Sequence, residues 1–201
     1  MGQITIDTWL GSFLKDVCQQ HPDVNTVVEI GTWDGMGSTK CIIDGLLHSS
    51  KTNIKFISLE SNPNMYSIAC NAWDGKLPSW ASLIHGRVLD VIDMDSSDLS
   101  DQEKIWFDED VAGMETCPNV IDTLPNEIDF LLLDGGEFST KSEFLKLVSR
   151  SKVVVLDDTS SRKCKWIREQ VLANPTQYEV IFDAPHIRVG VMAFRVIKGG
   201  E

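Results

Sequence analysis

The 201-residue sequence has no apolar run near the roughly 20 residues of a membrane-spanning helix. It also has no basic N-terminal segment followed by an apolar core, which would indicate a secretory signal. Only 18 Lys and Arg oppose 30 Asp and Glu, and the formal net charge is -12. A nucleic-acid backbone or an anionic membrane surface would repel such a chain. We therefore expect a soluble, cytoplasmic protein that uses neither nucleic acid nor membrane as its partner.

The sequence has few cysteines, and their spacing matches neither a disulfide framework nor a metal-binding motif. The five cysteines are odd in number, and none forms a C-x-x-C pair. Reduced thiols that pack in a cytosolic protein are the simplest account of such a set. The cysteines in question are Cys18, Cys41, Cys70, Cys117 and Cys164.

The glycine-rich segment at residues 27–39, VVEIGTWDGMGST, lacks both common phosphate-binding motifs. It has no lysine where a nucleoside triphosphate loop needs one, and the spacing of Gly31, Gly35 and Gly37 departs from G-x-G-x-x-G. The carboxylate of Glu29 beside the loop suits a cationic group better than a pyrophosphate. The segment therefore predicts a strand, a tight turn and a helix that together bind a ligand with positive charge.

Apolar runs alternate with helical periodicity along most of the chain. The nearly continuous runs at 128–133 and 153–156 are typical of strands buried on both faces of a parallel sheet. The last two strands are joined by so short a loop that they must be antiparallel. Strands are predicted at 27–30, 54–59, 81–85, 128–133, 153–156, 178–182 and 189–196, and helices at 5–20, 38–47, 64–73, 99–113, 140–148 and 162–172.

The predicted fold class is α/β: a Rossmann-like, doubly wound, mostly parallel seven-stranded sheet with an antiparallel last strand and helices on both faces. Residues 1–201 are expected to form one domain, with an N-terminal helix at 5–20 and an acidic insert at 91–127. Ligands of such sheets bind at the carboxyl ends of the strands, near the switch in strand order. Glycine or acid stands at each of these ends, at Gly31, Glu60, Gly86, Asp134 and Asp157.

Several of these features resemble one known family. The pattern Glu29-x-Gly31-x-x-x-Gly35, the acid in Leu59-Glu60-Ser61, the strand end at Asp134 and the closing antiparallel pair are similar to class I S-adenosylmethionine-dependent methyltransferases. The resemblance extends over residues 23–196. Within the superfamily, the chain most resembles small O-methyltransferases of the macrocin and cephalosporin-hydroxylase-like group. This implies methylation of a hydroxyl on a small molecule or glycan.

The resemblance implies a role for each matching position. Gly31 and Gly35 would let the backbone approach the methionine part of the cofactor, and Glu29 would attract its positive charge. Glu60 would accept hydrogen bonds from the ribose hydroxyls, and residues 86–88 would border the adenine. Two simpler roles stay open, a helix cap for Glu60 and an acid satisfied by backbone N–H groups for Glu29. The expected cofactor contacts are Glu29, Gly31, Thr32, Trp33, Gly35, Gly37, Ser38, Glu60, Ser61, Arg87, Val88 and Asp134.

Metal-assisted relatives hold a divalent ion with acids at the places of Asp134, Asp157 and Asp158. Carboxylate oxygens suit Mg²⁺, Ca²⁺ or Mn²⁺, and the resemblance implies that such an ion would activate the acceptor hydroxyl. Without a cation the three carboxylates would repel one another. The alternative is therefore that they cap helices or pair with Lys163 or Lys165.

The catalytic groups expected from the sequence are Asp134, Asp158 and His186, the last being a histidine between the final two strands. The chain departs from its relatives at residues 135–137, Gly-Gly-Glu, where a histidine often stands, and Glu137 replaces it only partly. This departure keeps open a non-catalytic binding or accessory module in carbohydrate modification. A nucleotide-sugar or dinucleotide enzyme is a third reading. The oligomeric state is left open, with a homodimer as one option.

Overall fold

The computed structural model describes residues 4–197, and all its strands belong to one sheet. They are β1 (Thr26–Ile30), β2 (Lys55–Glu60), β3 (Ala81–His85), β4 (Ile128–Leu133), β5 (Ser151–Asp157), β6 (Tyr178–Ala184) and β7 (Val191–Val196). Their order is β3-β2-β1-β4-β5-β7-β6, in which β7 is antiparallel to both of its neighbours and the first five strands are parallel. The predicted seven-stranded, mostly parallel sheet is confirmed.

Helices cover both faces of this sheet. They are α1 (Trp9–Gln20), α2 (Ser38–Leu47), α3 (Pro63–Ala72), α4 (Asp101–Glu115), α5 (Thr140–Leu147) and α6 (Arg162–Ala173). One core packs α1 and α2 against the sheet, and a second packs α5 and α6 against the opposite face. Successive strand residues serve opposite cores, as Val27 and Val28 do, because side chains alternate across a strand. This two-sided burial explains the continuous apolar runs in the sequence.

Helix boundaries differ from the sequence prediction where capping decides them. The first helix begins at Trp9 rather than at residue 5, because the hydroxyl of Thr8 accepts a hydrogen bond from the backbone N–H of Gly11 at 3.1 Å. In the acidic insert, Ser100 and Glu103 form a reciprocal capping box, and α4 therefore runs two residues later than the predicted 99–113. Of the helices within 4–197, none combines the length and the apolar character needed to cross a bilayer.

The acidic insert is anchored to the rest of the molecule by ion pairs. Asp95 pairs with Lys141 of α5 at 3.1 Å, and Glu103 of α4 pairs with Arg162 of α6 at 3.2 Å. A small apolar core that includes Met114 and Phe138 lies beneath. These contacts place one side of α4 at the carboxyl ends of the strands.

Candidate functional site

A cavity with a volume of about 490 Å³ lies at the carboxyl ends of β1, β2, β4 and β5. The strand order reverses here, because β1 lies between β2 and β4. Ligands of open α/β sheets bind at this position, and the volume is ordinary for a small-molecule site. The polar strand ends singled out in the sequence therefore meet at one cavity.

Gly31 begins the loop after β1, and its conformation admits no other residue easily. Its φ is +100°, and an added Cβ would lie 2.2 Å from the backbone oxygen of Asp134. The backbone N–H of Asp134 in turn donates to the oxygen of Ile30 at 2.9 Å. The glycine therefore lets the ends of β1 and β4 approach closely, so that the loop and the Asp134 carboxyl border the same space.

Trp33 and Glu60 form one end of the cavity. Trp33 has φ of 53°, which is rare for a bulky residue, and its backbone N–H donates to Oε2 of Glu60 at 2.7 Å. Oε1 of Glu60 accepts from the backbone N–H of Asn62 at 2.8 Å. These bonds use two of the about four acceptor positions of a carboxylate. Burial raises the pKa of Glu60, although these N–H groups lower it. Glu60 therefore holds the loop by hydrogen bonds, and its carboxylate can still accept further hydrogen bonds from a ligand in the cavity.

Glu29 lies beneath the loop and does not line the cavity. It is fully buried, and it accepts hydrogen bonds from the hydroxyls of Ser38, Thr39 and Ser58 at 2.6, 2.6 and 2.5 Å. Burial raises its pKa to about 7, against the effect of these hydroxyls. The partners are side-chain hydroxyls of α2 and β2, not the backbone N–H groups expected as the simpler alternative. Glu29 thus joins the loop to the sheet, and its predicted direct contact with a cofactor has no support in this geometry.

The remaining predicted loop residues mainly shape the turn. Thr32 is buried, and its hydroxyl is 2.5 Å from that of Ser58. Gly35 has φ of +74°, and its carbonyl accepts from the indole N–H of Trp73 at 2.8 Å. Gly37 and Ser38 line a smaller recess that adjoins the main cavity at Trp33. The loop is therefore held from below by its own polar groups.

Residues 86–88 and Ser61 line the cavity. Val88 contributes a buried side chain. The guanidinium of Arg87 is bound to the chain itself: it donates to the carbonyl of Cys117 at 2.8 Å and to that of Leu89. Arg87 thereby fastens the end of the acidic insert beside the cavity.

A cluster of three acids lies at the ends of β4 and β5, and two of them, Asp134 and Asp158, line the opposite end of the cavity. Oxygens of Asp134, Asp157 and Asp158 lie within 4.8 Å of one another. The Nζ of Lys163 is 2.5 Å from Oδ1 of Asp134 and 3.1 Å from Oδ2 of Asp158. Arg188 binds both oxygens of the fully buried Asp157, at 3.2 and 2.9 Å. The cluster therefore contains two cationic side chains of its own.

These ion pairs set the charge of the cluster. Burial lowers the pKa of Lys163, but the attraction of Asp134 and Asp158 outweighs burial and raises it, so the side chain stays an ammonium. Burial raises the pKa of Asp134 to about 6, although Lys163 opposes that shift. Asp158 and Arg188 have φ of 61° and 54°, a region in which non-glycine residues are uncommon and which recurs at functional sites.

The structure does not bring His186 to this site. The residue is exposed in the loop between β6 and β7 and is absent from the lining of the cavity. Its neighbour Arg188 is the residue of this loop that reaches the cluster. Glu137, the partial substitute for a base, accepts the backbone N–H of Lys163 at 3.2 Å. It therefore caps α6, which favours the negative charge of a carboxylate there.

Two further helices contribute side chains to the wall of the cavity. Asp110 and Met114 of α4 line it, so the acidic insert forms part of its wall. Glu143 of α5 also lines it, and its buried Oε2 has no hydrogen-bond partner among the described residues. Burial raises the pKa of Glu143 to about 7. No motif marks Glu143, because only the tertiary fold brings α5 beside the space that Gly135 leaves open.

Comparison with solved structures identifies the fold. An O-methyltransferase from Bacillus cereus in complex with SAH is 16% identical, has a TM-score of 0.60 and aligns over 92% of this chain and 80% of its own. The SAH-bound Podospora anserina methyltransferase PaMTH1 is 15% identical, with a TM-score of 0.63 and coverage of 94% and 78%. The O-methyltransferase TomG from Streptomyces achromogenes, in complex with SAM, is 14% identical, with a TM-score of 0.62 and coverage of 94% and 80%.

No family model matches the sequence, and no curated protein does either. At these identities the structural likeness establishes the fold. The chain has the fold of S-adenosylmethionine-dependent O-methyltransferases.

The described residues fit the cofactor of that fold better than they fit a divalent ion. Glu60 has acceptor positions left for hydroxyl groups, and Gly31, Glu60 and Asp134 all line the same cavity. The acids predicted to bind a metal have the right donor chemistry, but Lys163 already binds one oxygen each of Asp134 and Asp158, and Arg188 binds both oxygens of Asp157. A metal ion does not fit this arrangement unless those side chains move.

Proposed function

We propose that this protein is an S-adenosylmethionine-dependent methyltransferase that methylates a hydroxyl group of a small molecule or sugar. The observation that carries the proposal is the arrangement of the cavity. Glu60 lies at one end, the cluster of Asp134, Asp158 and Lys163 lies at the other, and the Gly31 turn lies between them. The similar folds that contain SAH or SAM support the same reading.

Bound S-adenosylmethionine supplies a methyl group on a positively charged sulfur. In a methyl transfer, a lone pair of the acceptor oxygen would form the bond to the methyl carbon as the carbon–sulfur bond breaks with its electron pair on sulfur, and the hydroxyl proton would have to pass to a group of the site. Glu60 binds the ribose hydroxyls through its remaining acceptor positions, and Trp33 covers the cavity beside it. The acids at the other end orient the hydroxyl and accept its proton.

The acceptor enters next to the acidic insert. Asp110 and Met114 extend the cavity wall with one polar and one apolar side chain, and loops on such scaffolds determine specificity. A hydroxylated small molecule or glycan suits this wall, since carboxylates accept hydrogen bonds from hydroxyls. The insert does not favour an anionic acceptor, because its charge is of the same sign.

Two alternatives use the same cavity. A non-catalytic accessory module in carbohydrate modification would bind the cofactor without turnover, and it draws on the missing base at residues 135–137. A dinucleotide or nucleotide-sugar enzyme would need a site for a pyrophosphate. The buried Glu29 and the lining acids disfavour that anion.

Calorimetric titration with S-adenosylmethionine, S-adenosylhomocysteine and NAD tests the proposal. We expect heat of binding with the first two and none with NAD, and the absence of binding to both sulfur compounds would refute the proposed function. Formation of S-adenosylhomocysteine is then measured against a panel of sugars and phenols. Binding without turnover on any acceptor would favour the accessory module.

A further inference from the structure

Two of the acids at the ends of β4 and β5 form ion pairs with the same ammonium group. Lys163 Nζ lies between Asp134 Oδ1 and Asp158 Oδ2, at 2.5 and 3.1 Å, and its side chain is only 7% exposed. A divalent ion bound to carboxylate oxygens would lie roughly 2.0 to 2.6 Å from them. The ammonium and such an ion therefore compete for nearly the same position.

The position of Lys163 is fixed by the start of α6. The hydroxyl of Ser161 accepts the backbone N–H of Lys163 at 3.3 Å, and Oε1 of Glu137 accepts the same group at 3.2 Å. Glu137 follows β4, so this bond ties the helix to the strand that carries Asp134. The backbone of Lys163 is therefore held both by the start of α6 and by the segment after β4.

Asp158 supplies the second observation. Lys163 binds its Oδ2, whereas its buried Oδ1 has no hydrogen-bond partner among residues 4–197. Asp158 lines the cavity. A buried carboxylate oxygen is rarely left without a donor, so a ligand hydroxyl is the group that would complete it.

We propose that Lys163 is the resident cation of this site in place of a divalent ion, and that it holds Asp158 with Oδ1 directed to the hydroxyl of the acceptor. Lys163 is a positioning residue, and Asp158 is the group that takes the proton as the oxygen forms its bond to the methyl carbon. The role of Asp158 toward the acceptor rests on the proposed methyl transfer. The role of Lys163 as the resident cation is independent of that function.

Binding of Mn²⁺ tests the cation directly, by the electron paramagnetic resonance signal of free Mn²⁺ and by thermal unfolding. We expect wild-type protein to show no saturable binding below about 1 mM, the weak end of protein sites for divalent ions. Lys163→Ala exposes the three carboxylates and should bind Mn²⁺ at least about 10-fold more tightly, with a rise in its unfolding temperature. Lys165→Ala, which removes an exposed lysine of the same helix, should behave as wild type.

Saturable Mn²⁺ binding to wild type that Asp158→Asn abolishes would overturn the proposal. Failure of both wild type and a folded Lys163→Ala to bind would also overturn it, because Lys163 would then not be what keeps an ion out. If Lys163→Ala does not fold, the wild-type and Asp158→Asn titrations still decide the question. None of these measurements needs S-adenosylmethionine, so their outcome is independent of whether the proposed function fails.

For the acceptor, turnover is compared with and without the chelator EDTA. We expect equal rates, and for Asp158→Asn a loss in kcat of about 100-fold or more with little change in cofactor affinity. A chelator-sensitive wild type, or an Asp158→Asn variant that keeps its kcat, would overturn this part of the proposal.

Discussion

Two groups of buried acids flank the cavity, and the fold neutralises them in different ways. On the side of β1 and β2, the donors to Glu29 and Glu60 among residues 4–197 are hydroxyls and backbone N–H groups. On the side of β4 and β5, Asp134 and Asp157 are paired with the cationic side chains Lys163 and Arg188. Neutral donors stabilise a carboxylate without cancelling its charge, whereas an ion pair cancels it.

The difference assigns different ligands to the two sides. The first side keeps negative potential and free acceptor positions, which suit hydroxyls and a nearby positive charge. The second side already has its counter-charges and gains little from an added cation. Substitutions test this difference. They remove a cationic partner on the second side or an acid bonded to neutral donors on the first side, and equal losses on both sides would contradict it.

The largest effect is expected from Arg188→Ala. It leaves Asp157, which is fully buried, without its bidentate partner. Breaking a buried ion pair by removing one partner costs about 3 to 5 kcal/mol, and we expect a loss of this size in the free energy of unfolding, measured by urea denaturation. The control is Arg195→Ala, whose pair with Glu179 is more than half exposed on both side chains. It should cost no more than about 1 kcal/mol, and equal losses in the two variants would contradict the contrast.

Glu29→Gln should change the pH dependence of stability. The pKa of Glu29 is raised by burial from 4.5 to about 7 in the folded protein. Its stabilising contribution is therefore present below pH 4.5 and is lost as the pH rises toward 7. A shift of this size corresponds to about 3 kcal/mol. Between pH 4.5 and 7.5, the free energy of unfolding should fall less in Glu29→Gln than in wild type by up to that amount. If the free energy of unfolding depends on pH in the same way in both proteins, the pKa of Glu29 is not raised by burial.

Glu60→Ala should weaken the binding of S-adenosylmethionine by about 1 to 3 kcal/mol, or roughly 5- to 150-fold. The expected cause is the loss of a charged acceptor for the ribose, and calorimetry measures it. Because Glu60 also holds the backbone N–H of Trp33, Glu60→Gln separates the two roles, since Gln keeps an acceptor but loses the charge. The control is Glu127→Gln, an exposed acid before β4. An unchanged affinity of Glu60→Ala for S-adenosylmethionine would mean that Glu60 only holds the loop and does not bind the ribose.

The smallest effect is expected from His186→Ala. The residue is exposed and lies outside the cavity lining, and surface substitutions of this kind usually change stability by less than about 0.5 kcal/mol. Cofactor affinity and turnover should stay within about 2-fold of wild type. A loss of turnover above about 10-fold would restore the histidine as a catalytic group.

The sequence was sufficient for the fold because each strand and most helices have a strong local signal. The run at Ile128–Leu133 and the glycines after β1 predicted the parallel core and the cavity, and the short β6–β7 connection predicted the antiparallel closure. Boundaries failed where one hydroxyl decides them, as Thr8 does for α1. The single-domain organisation and the homodimer option stay predictions.

The site was only partly predictable, because its decisive contacts join residues distant in the chain. Lys163 was one of two lysines named as possible partners of the acids, and only the start of α6 distinguishes it from Lys165. Glu143 had no signal, since a helix acid reads as solvent-exposed until the fold buries it. Conversely, Glu29 matched a motif, and its three hydroxyl partners assign it to the support of the loop.

Trp33 gives the molecule an optical reporter. Trp33 is 56% exposed and lines the cavity, while its backbone N–H donates to the carboxylate of Glu60, to which the ribose is proposed to bind. Because Trp33 lines the cavity, we expect cofactor binding to change the polarity around its indole while its backbone hydrogen bond to Glu60 is kept. The protein has six tryptophans, so the part of the change in emission on cofactor binding that Trp33→Phe removes is the signal of this residue.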